Sequence, residues 1–295
     1  MTDVCNIHLD EFAPFMAFLN RSFGMAVGRF EQGYPHIYRP TEALCESAFV
    51  VKDDGRIVSH VGLYPIESVM EGCEVTIGGI GGVATRRGER GKGHMTRLLY
   101  RVIQEMRVRG YCLSWLGGDR QRYNTFGWER AGMHYELGFS ERSMDRAQIQ
   151  AMEIEGRRTD EMVAVVEQYQ HQVPFHTRRP DLALQLEKDN LWLWTAEDGY
   201  IIARGQPYGA LSIIELVSAS GREAEMVRAV IEWTGGKDLA WTICAGDDER
   251  LARLLPAARR WHSGGGQMYR IVDLARFLSS IKPMLARRAQ GVRDF

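Results

Sequence analysis

The stretch from Gly78 to Met95, G-G-I-G-G-V-A-T-R-R-G-E-R-G-K-G-H-M, reads as the end of a strand, a tight basic loop and the start of a helix. Val83, Ala84 and Thr85 close an apolar, β-prone run that begins at Val75. From Met95 onward, apolar residues at Leu98, Leu99, Val102, Ile103 and Met106 follow helical spacing. Between them, Arg90-Gly91-Lys92-Gly93-His94 contains two glycines that let the backbone turn and bring its N–H groups close to an anion. The helix dipole adds partial positive charge at the same place. The loop therefore expects a phosphate, although a glycine-rich basic turn alone is equally compatible with an exposed connection.

Around this stretch the chain is ordinary in composition. It has 295 residues, 45% hydrophobic content and a formal net charge of −1, enough for two domains and without a global field for nucleic acid or membrane. The five cysteines (Cys5, Cys45, Cys73, Cys112 and Cys244) are odd in number and never in C-x-x-C spacing, which fits reduced thiols in a cytoplasmic protein. The histidines show no ligand spacing for a metal. No 18-residue apolar run occurs, and the N-terminus lacks the pattern of a leader.

Taken in order, Glu11 to Phe23 reads as a helix with Phe12, Phe15, Met16 and Leu19 on one face, stopped at Gly24. Phe30 to Pro40 reads as an aromatic loop. Strands follow at 48–52, 56–69 and 73–83, separated by turns at Asp53-Asp54-Gly55 and Glu71-Gly72. After the helix of 95–109, closed by Gly110, comes a strand-length run from Tyr111 to Leu116, which implies a parallel neighbour reached by a right-handed crossover. A short helix over 117–128 and a final pair of strand segments over 129–139 complete the half.

The order of these elements, the phrase Gly81-Gly82-Val83-Ala84-Thr85, then Arg90-x-x-Gly93 before a helix, and Tyr123-x-x-Phe126-Gly127-Trp128 some thirty residues later, resembles the GNAT superfamily of acyl-CoA-dependent N-acyltransferases. The resemblance implies an α/β (α+β) fold with a mixed, mostly antiparallel sheet splayed between its fourth and fifth strands. It implies that Val83, Ala84 and Thr85 present backbone groups to the pantetheine arm of acetyl-CoA, the acyl donor. It implies further that Arg90, Gly91, Lys92, Gly93, His94 and the Met95 N–H cradle the pyrophosphate. Tyr123 matches the tyrosine that sits beside the CoA sulfur and would be the acid. The superfamily's R-x-x-G-x-G/A ends in a small residue where this chain has Met95, whose side chain either reaches toward the cofactor or packs inward.

The second half repeats the pattern. A polar segment over 140–155 separates the halves. Helices are expected at 159–170 and 181–188, strands at 191–195, 200–203 and 210–217, a helix at 222–234, a strand at 239–244, a short helix at 249–255 and a last strand at 268–272. Where the basic loop should be, only Ser218, Ala219, Ser220 and Gly221 stand, so this half reads as a degenerate GNAT-like domain that does not hold CoA. The expected division is a catalytic domain at 1–142, the degenerate domain at 143–275 and a C-terminal helix and tail at 276–295. The arrangement resembles the two-domain, enhanced-intracellular-survival acetyltransferases without room for their sterol-carrier-like third domain.

A thioester transfers its acyl group to a neutral amine, and an alkyl amine of pKa about 10.4 costs roughly 4 to 5 kcal/mol to deprotonate at pH 7, so a base or water relay is useful. Glu129, Asp119, Glu42, Glu46, His36 and the Phe295 carboxylate are all candidates, each equally readable as solvated surface. Trp115 and Trp128 read as core or as walls of an acceptor cleft, and Arg97, Arg101, Arg107 and Arg109 as a solvated helix face or a contact for the CoA 3′-phosphate. The leading expectation is an N-acetyltransferase acting by direct attack of a primary amine, on a small molecule or a lysine side chain. A non-catalytic acyl-CoA sensor is the alternative; neither nucleic acid nor membrane is an expected partner, and homo-oligomers are compatible with the sequence.

Overall fold

Two tight hairpins set the first sheet. Asp54 and Gly55 have φ of 45° and 73°, and Glu71 and Gly72 have 48° and 79°. Two left-handed residues in succession make the turn whose twist matches antiparallel strands. Each acid-glycine pair thus joins strands directly, closing Asp53 against Arg56 and Met70 against Cys73.

In the computed structural model, which describes residues 4–156, 160–188, 190–205 and 210–291, the chain forms two compact units. The strands in chain order are β1 (Val4–Asn6), β2 (Ala48–Asp53), β3 (Arg56–Met70), β4 (Cys73–Thr85), β5 (Leu113–Leu116), β6 (Glu129–Arg130) and β7 (Met133–Phe139). They continue as β8 (Phe175–Thr177), β9 (Leu191–Ala196), β10 (Gly199–Gly205), β11 (Leu211–Ser218), β12 (Leu239–Cys244), β13 (Arg260–Gly265) and β14 (Met268–Ile271).

The first unit comprises 1–130, 174–188 and 267–295, and its sheet runs β1-β2-β3-β4-β5-β14-β6, with β8 pairing the far end of β3. The parallel pair β4·β5 is joined through the helix His94–Val108, as the strand-helix-strand pattern predicts. Leu98, Leu99, Val102, Ile103 and Met106 of that helix are buried against Phe49, Val61, Leu63 and Ile80 of the sheet. On a second core, Phe15, Met16, Phe18 and Leu19 of the helix Phe12–Ser22 pack with Phe30, Tyr38 and Leu44.

The second unit comprises 131–173 and 189–266, with the sheet β13-β7-β12-β11-β10-β9. Its parallel pair β11·β12 is joined through the helix Glu223–Trp233, a second copy of the same crossover and a mixed, mostly antiparallel second sheet. Val227, Val230 and Ile231 of this helix are buried with Ile201, Leu216 and Trp241.

These units do not follow the linear boundaries at 142 and 275. The segment 129–139 reads as one closing pair of strands, yet β6 stays in the first sheet while β7 lies between β12 and β13 in the second. Conversely β14, expected to end the second half, lies antiparallel between β5 and β6 in the first. Alternation in sequence makes a strand but does not name its neighbours, because ladder bonds form between backbones of any sequence separation. Shorter elements also depart from expectation: the aromatic loop contains the helix Arg29–Gly33, the polar stretch after 139 contains the helix Glu141–Arg146 with Ser140 as its cap, and β1, β8 and β13 had no clear pattern. The expected cap Thr159 and turn Pro207-Tyr208-Gly209 lie outside the described residues.

Candidate active site

The β4·β5 ladder runs only from Ile77↔Leu113 to Ile80↔Leu116, yet β4 continues to Thr85. Beyond Ile80 its far edge has no β5 partner, which is the splay expected between these strands. The Arg86 N–H donates to the Val58 carbonyl at 2.8 Å and the Ser59 hydroxyl donates to the Ala84 carbonyl at 3.0 Å. Residues 84 and 86 therefore turn their polar groups toward β3, and by alternation Thr85 between them turns its backbone groups to the open edge. At this point the β3·β4 register shifts between His60↔Ala84 and Gly62↔Gly81, so that β4 carries a bulge at Gly82-Val83.

The strand leads into the loop. Gly91 and Gly93 have φ of 81° and 76°, with open space where a side chain would stand. Gly93 is the N-cap of the helix His94–Val108 and supplies no side-chain cap, so the first-turn N–H groups have no partner within the helix. Arg87, Arg90 and Lys92 are exposed. Lys92 lies 2.9 Å from Glu89, which holds the Glu89 carboxyl below its usual range; an exposed pair of this kind is worth little and yields readily to a stronger anion. The site fits a polyphosphate by its open backbone donors and by its charge.

Not every loop side chain faces that way. The His94 imidazole is buried, its Nε2 3.3 Å from Glu89 and its Nδ1 2.7 Å from the Arg97 guanidinium. Because Arg97 can only donate, Nδ1 accepts and the ring proton sits on Nε2. Both ring nitrogens of His94 are thus engaged within the chain. Met95 resolves in the same direction: with Val83 it packs against the apolar core behind the helix. The bulky residue at the position usually small is turned inward.

Tyr123 ends a short helix, Arg120–Tyr123, capped by the Asp119 carboxylate, which accepts the Gln121 N–H at 3.0 Å. It is 6% exposed and shares its core with Leu98, Leu99, Phe126 and Trp128, the core on which Val83 and Met95 rest. Burial pushes its phenol above the usual value against the opposing charge of Arg122, so it stays protonated and able to donate. The turn after it is held from an unexpected place: Arg270 of β14 donates to the Phe126 carbonyl and lies over the Trp128 ring.

The base candidates separate by what they touch. Glu129 is paired with the Arg120 guanidinium and held low by it, Asp119 caps its helix, and Glu42 and Glu46 are exposed. Burial and the nearby Lys188 charge lower His36 to about 4. Phe295 lies outside the described residues. Trp128 is core and Trp115 partly buried, while Arg101 and Arg109 both pair with Glu105 on a solvated helix face. Among the described residues no cluster is built to hold a metal ion. One residue that sequence reasoning did not single out is His60, wholly buried on β3 against the bulge; its signal was a histidine amid the apolar run Ile57-Val58-Ser59-His60-Val61.

The corresponding place in the second unit is built differently. The β11·β12 ladder also ends early, at Ile213↔Trp241. Here Asp198 accepts from the Ser218 and Ser220 hydroxyls and from the Ser220 N–H, and Ser218 Oγ accepts the Arg222 N–H at 2.8 Å. The buried Glu223 carboxylate takes Arg250 at 3.1 Å and Arg253 at 3.0 Å. At this turn the donors are already met by the chain's own carboxylates, Asp198 and Glu223.

A parallel pair that parts, a bulged strand and an uncapped basic turn thus meet at one edge of the first sheet. Residues 3–131 match the family model described as an acetyltransferase (GNAT) domain. Among solved structures it is similar to a probable N-acyltransferase from Enterococcus faecalis V583 (TM-score 0.74, 19% identity, 94% of this chain and 74% of that one). It is also similar to a GCN5-related N-acetyltransferase from Kribbella flavida (TM-score 0.74, 18% identity, 95% and 74%). Eis1 from Mycobacterium abscessus is a third (TM-score 0.66, 17% identity, 95% and 76%). At these identities the likeness is one of fold. No curated protein matches the chain in sequence.

Proposed function

We propose that the protein is an acetyl-CoA-dependent N-acetyltransferase that acts by direct attack of a primary amine, on a small molecule or a lysine side chain. The observation that carries this reading is the unpaired edge of β4 running into the uncapped glycine turn at 91–93, with Tyr123 on the same core. Val83 to Thr85 would bind the pantetheine arm and the N–H groups of 91–95 the pyrophosphate, with Arg90 and Lys92 adding charge. In the transfer a C–N bond forms and the C–S bond breaks. The amine proton leaves through water, and the departing thiolate is met by the Tyr123 hydroxyl. Between an ordinary phenol and an ordinary thiol full proton transfer is already uphill by about 2 kcal/mol, and burial of Tyr123 raises that gap further, so Tyr123 works by hydrogen-bonding the developing charge. We assign CoA to the first unit alone, with the second as a degenerate partner domain.

The test is thiol release from acetyl-CoA over a panel of alkyl, aromatic and peptidyl-lysine amines. Release that saturates with at least one primary amine, with acetyl found on its nitrogen, is the expected result. Tight CoA binding without release over the whole panel would instead make the protein an acyl-CoA sensor.

A further inference from the structure

His60 lies on β3 with its ring fully buried and its Nδ1 2.7 Å from the Gly82 carbonyl. A carbonyl only accepts, so the proton sits on Nδ1. Burial lowers the ring to about 4, which leaves it neutral and Nε2 bare; that nitrogen is buried without a hydrogen-bond partner. Phe15 meets the ring edge-on at 4.9 Å. An orphaned buried nitrogen costs stability, so the ring's other bond is the one to explain.

That bond falls on the bulge. Gly82 has φ of 61°, and a methyl group built on it would stand 2.8 Å from Tyr38 Oη and 3.0 Å from His60 Cε1. Tyr38 is fixed in turn by the Tyr64 hydroxyl, which donates to it at 3.0 Å. The Gly82 carbonyl is therefore captured by a side chain. In a trans peptide the carbonyl of one residue and the N–H of the next point in opposite directions within one rigid plane. Holding Gly82 C=O toward His60 thus fixes Val83 N–H on the side away from the ring, at the point where β4 has no β5 partner.

We propose that His60 is a positioning residue for acyl transfer: by gripping the Gly82 carbonyl it aims and strengthens the Val83 N–H as the donor to the thioester carbonyl oxygen. This rests on the acetyl-CoA reading above. A hydrogen bond to an amide's oxygen polarises the whole peptide group, so its N–H becomes a better donor. Donors aimed in advance at an oxygen that gains negative charge in the transition state lower the barrier without reorganising. His60 does not touch the reacting atoms; it acts through the Gly82-Val83 peptide.

The test uses acetyl-CoA labelled with carbon-13 at the thioester carbonyl, read by difference infrared spectroscopy on wild type, His60→Asn and His60→Leu. An Asn side-chain N–H can reach the place of Nδ1, whereas Leu cannot donate. Wild type should shift the bound carbonyl to lower frequency. His60→Leu should lose most of that shift and about 30-fold in kcat, with acetyl-CoA affinity within about three-fold, and His60→Asn should recover most of both. An unshifted difference between wild type and His60→Leu, or equal losses in Leu and Asn, overturns the proposal. Should His60→Leu fail to fold, nitrogen-15 spectra of wild-type histidine decide: a protonated Nδ1 with a bare Nε2 supports the grip, and the reverse tautomer overturns it. If wild type binds no acetyl-CoA, the failure belongs to the parent reading, and the spectra of His60 still stand as its own test.

Discussion

Tyr123→Phe should lower kcat by about 100- to 1,000-fold while leaving acetyl-CoA affinity within about two-fold. The change deletes one oxygen from a side chain whose ring is 6% exposed and packed with Leu98, Leu99, Phe126 and Trp128, so the packing stays intact. What is lost is a donor that burial keeps protonated throughout the working pH range. Its interaction strengthens only as sulfur gains charge, so the loss falls on kcat and not on ground-state binding. Steady-state kinetics with calorimetric measurement of acetyl-CoA binding checks both halves. A kcat unchanged within about two-fold would remove Tyr123 from the chemistry and return it to the core.

Trp128→Ala should lower the free energy of unfolding by about 3 to 5 kcal/mol, read from denaturant unfolding. Trp128 is 0% exposed, and its indole N–H donates to the Ser114 hydroxyl at 3.1 Å, which in turn donates to the Gly78 carbonyl at 2.6 Å. One side chain thus ties the turn after Tyr123 to β5 and, through Ser114, to β4. Trp128→Phe keeps much of the apolar contact but removes the indole donor and part of the ring volume, and should lose less, about 2 to 3 kcal/mol. Equal losses for Phe and Ala would mean that the hydrogen bond, and not the packing, carries the contribution.

Much of the first unit could be read from its residues because its signals are local. Asp54-Gly55 and Glu71-Gly72 set two hairpins by backbone conformation alone, and the i, i+3, i+4 spacing from Leu98 to Met106 specifies one helix and its buried face. Gly91 and Gly93 announce the turn for the same reason. What escaped reading is non-local. Nothing in Met133 to Phe139 says that it pairs with β12 and β13, or in Met268 to Ile271 that it fills the gap between β5 and β6. The support that Arg270 gives to the Phe126 carbonyl spans the chain and has no local trace. His94 and Met95 show the same limit at the scale of a side chain: their positions in the loop were legible, but their inward direction depends on Glu89, Arg97 and the core beneath. No helix among the described residues is long and apolar enough to cross a membrane.

Calorimetric titration with acetyl-CoA separates the two units, because the glycine turn at 91–93 and the carboxylate-filled turn of the second unit make opposite demands on an anion. Saturation is expected at one equivalent per chain, abolished in Gly93→Asp, which places a negative side chain at the cap of the helix. Two equivalents per chain, or binding that survives Gly93→Asp unchanged, would remove acetyl-CoA from the turn at 91–93 as its one site.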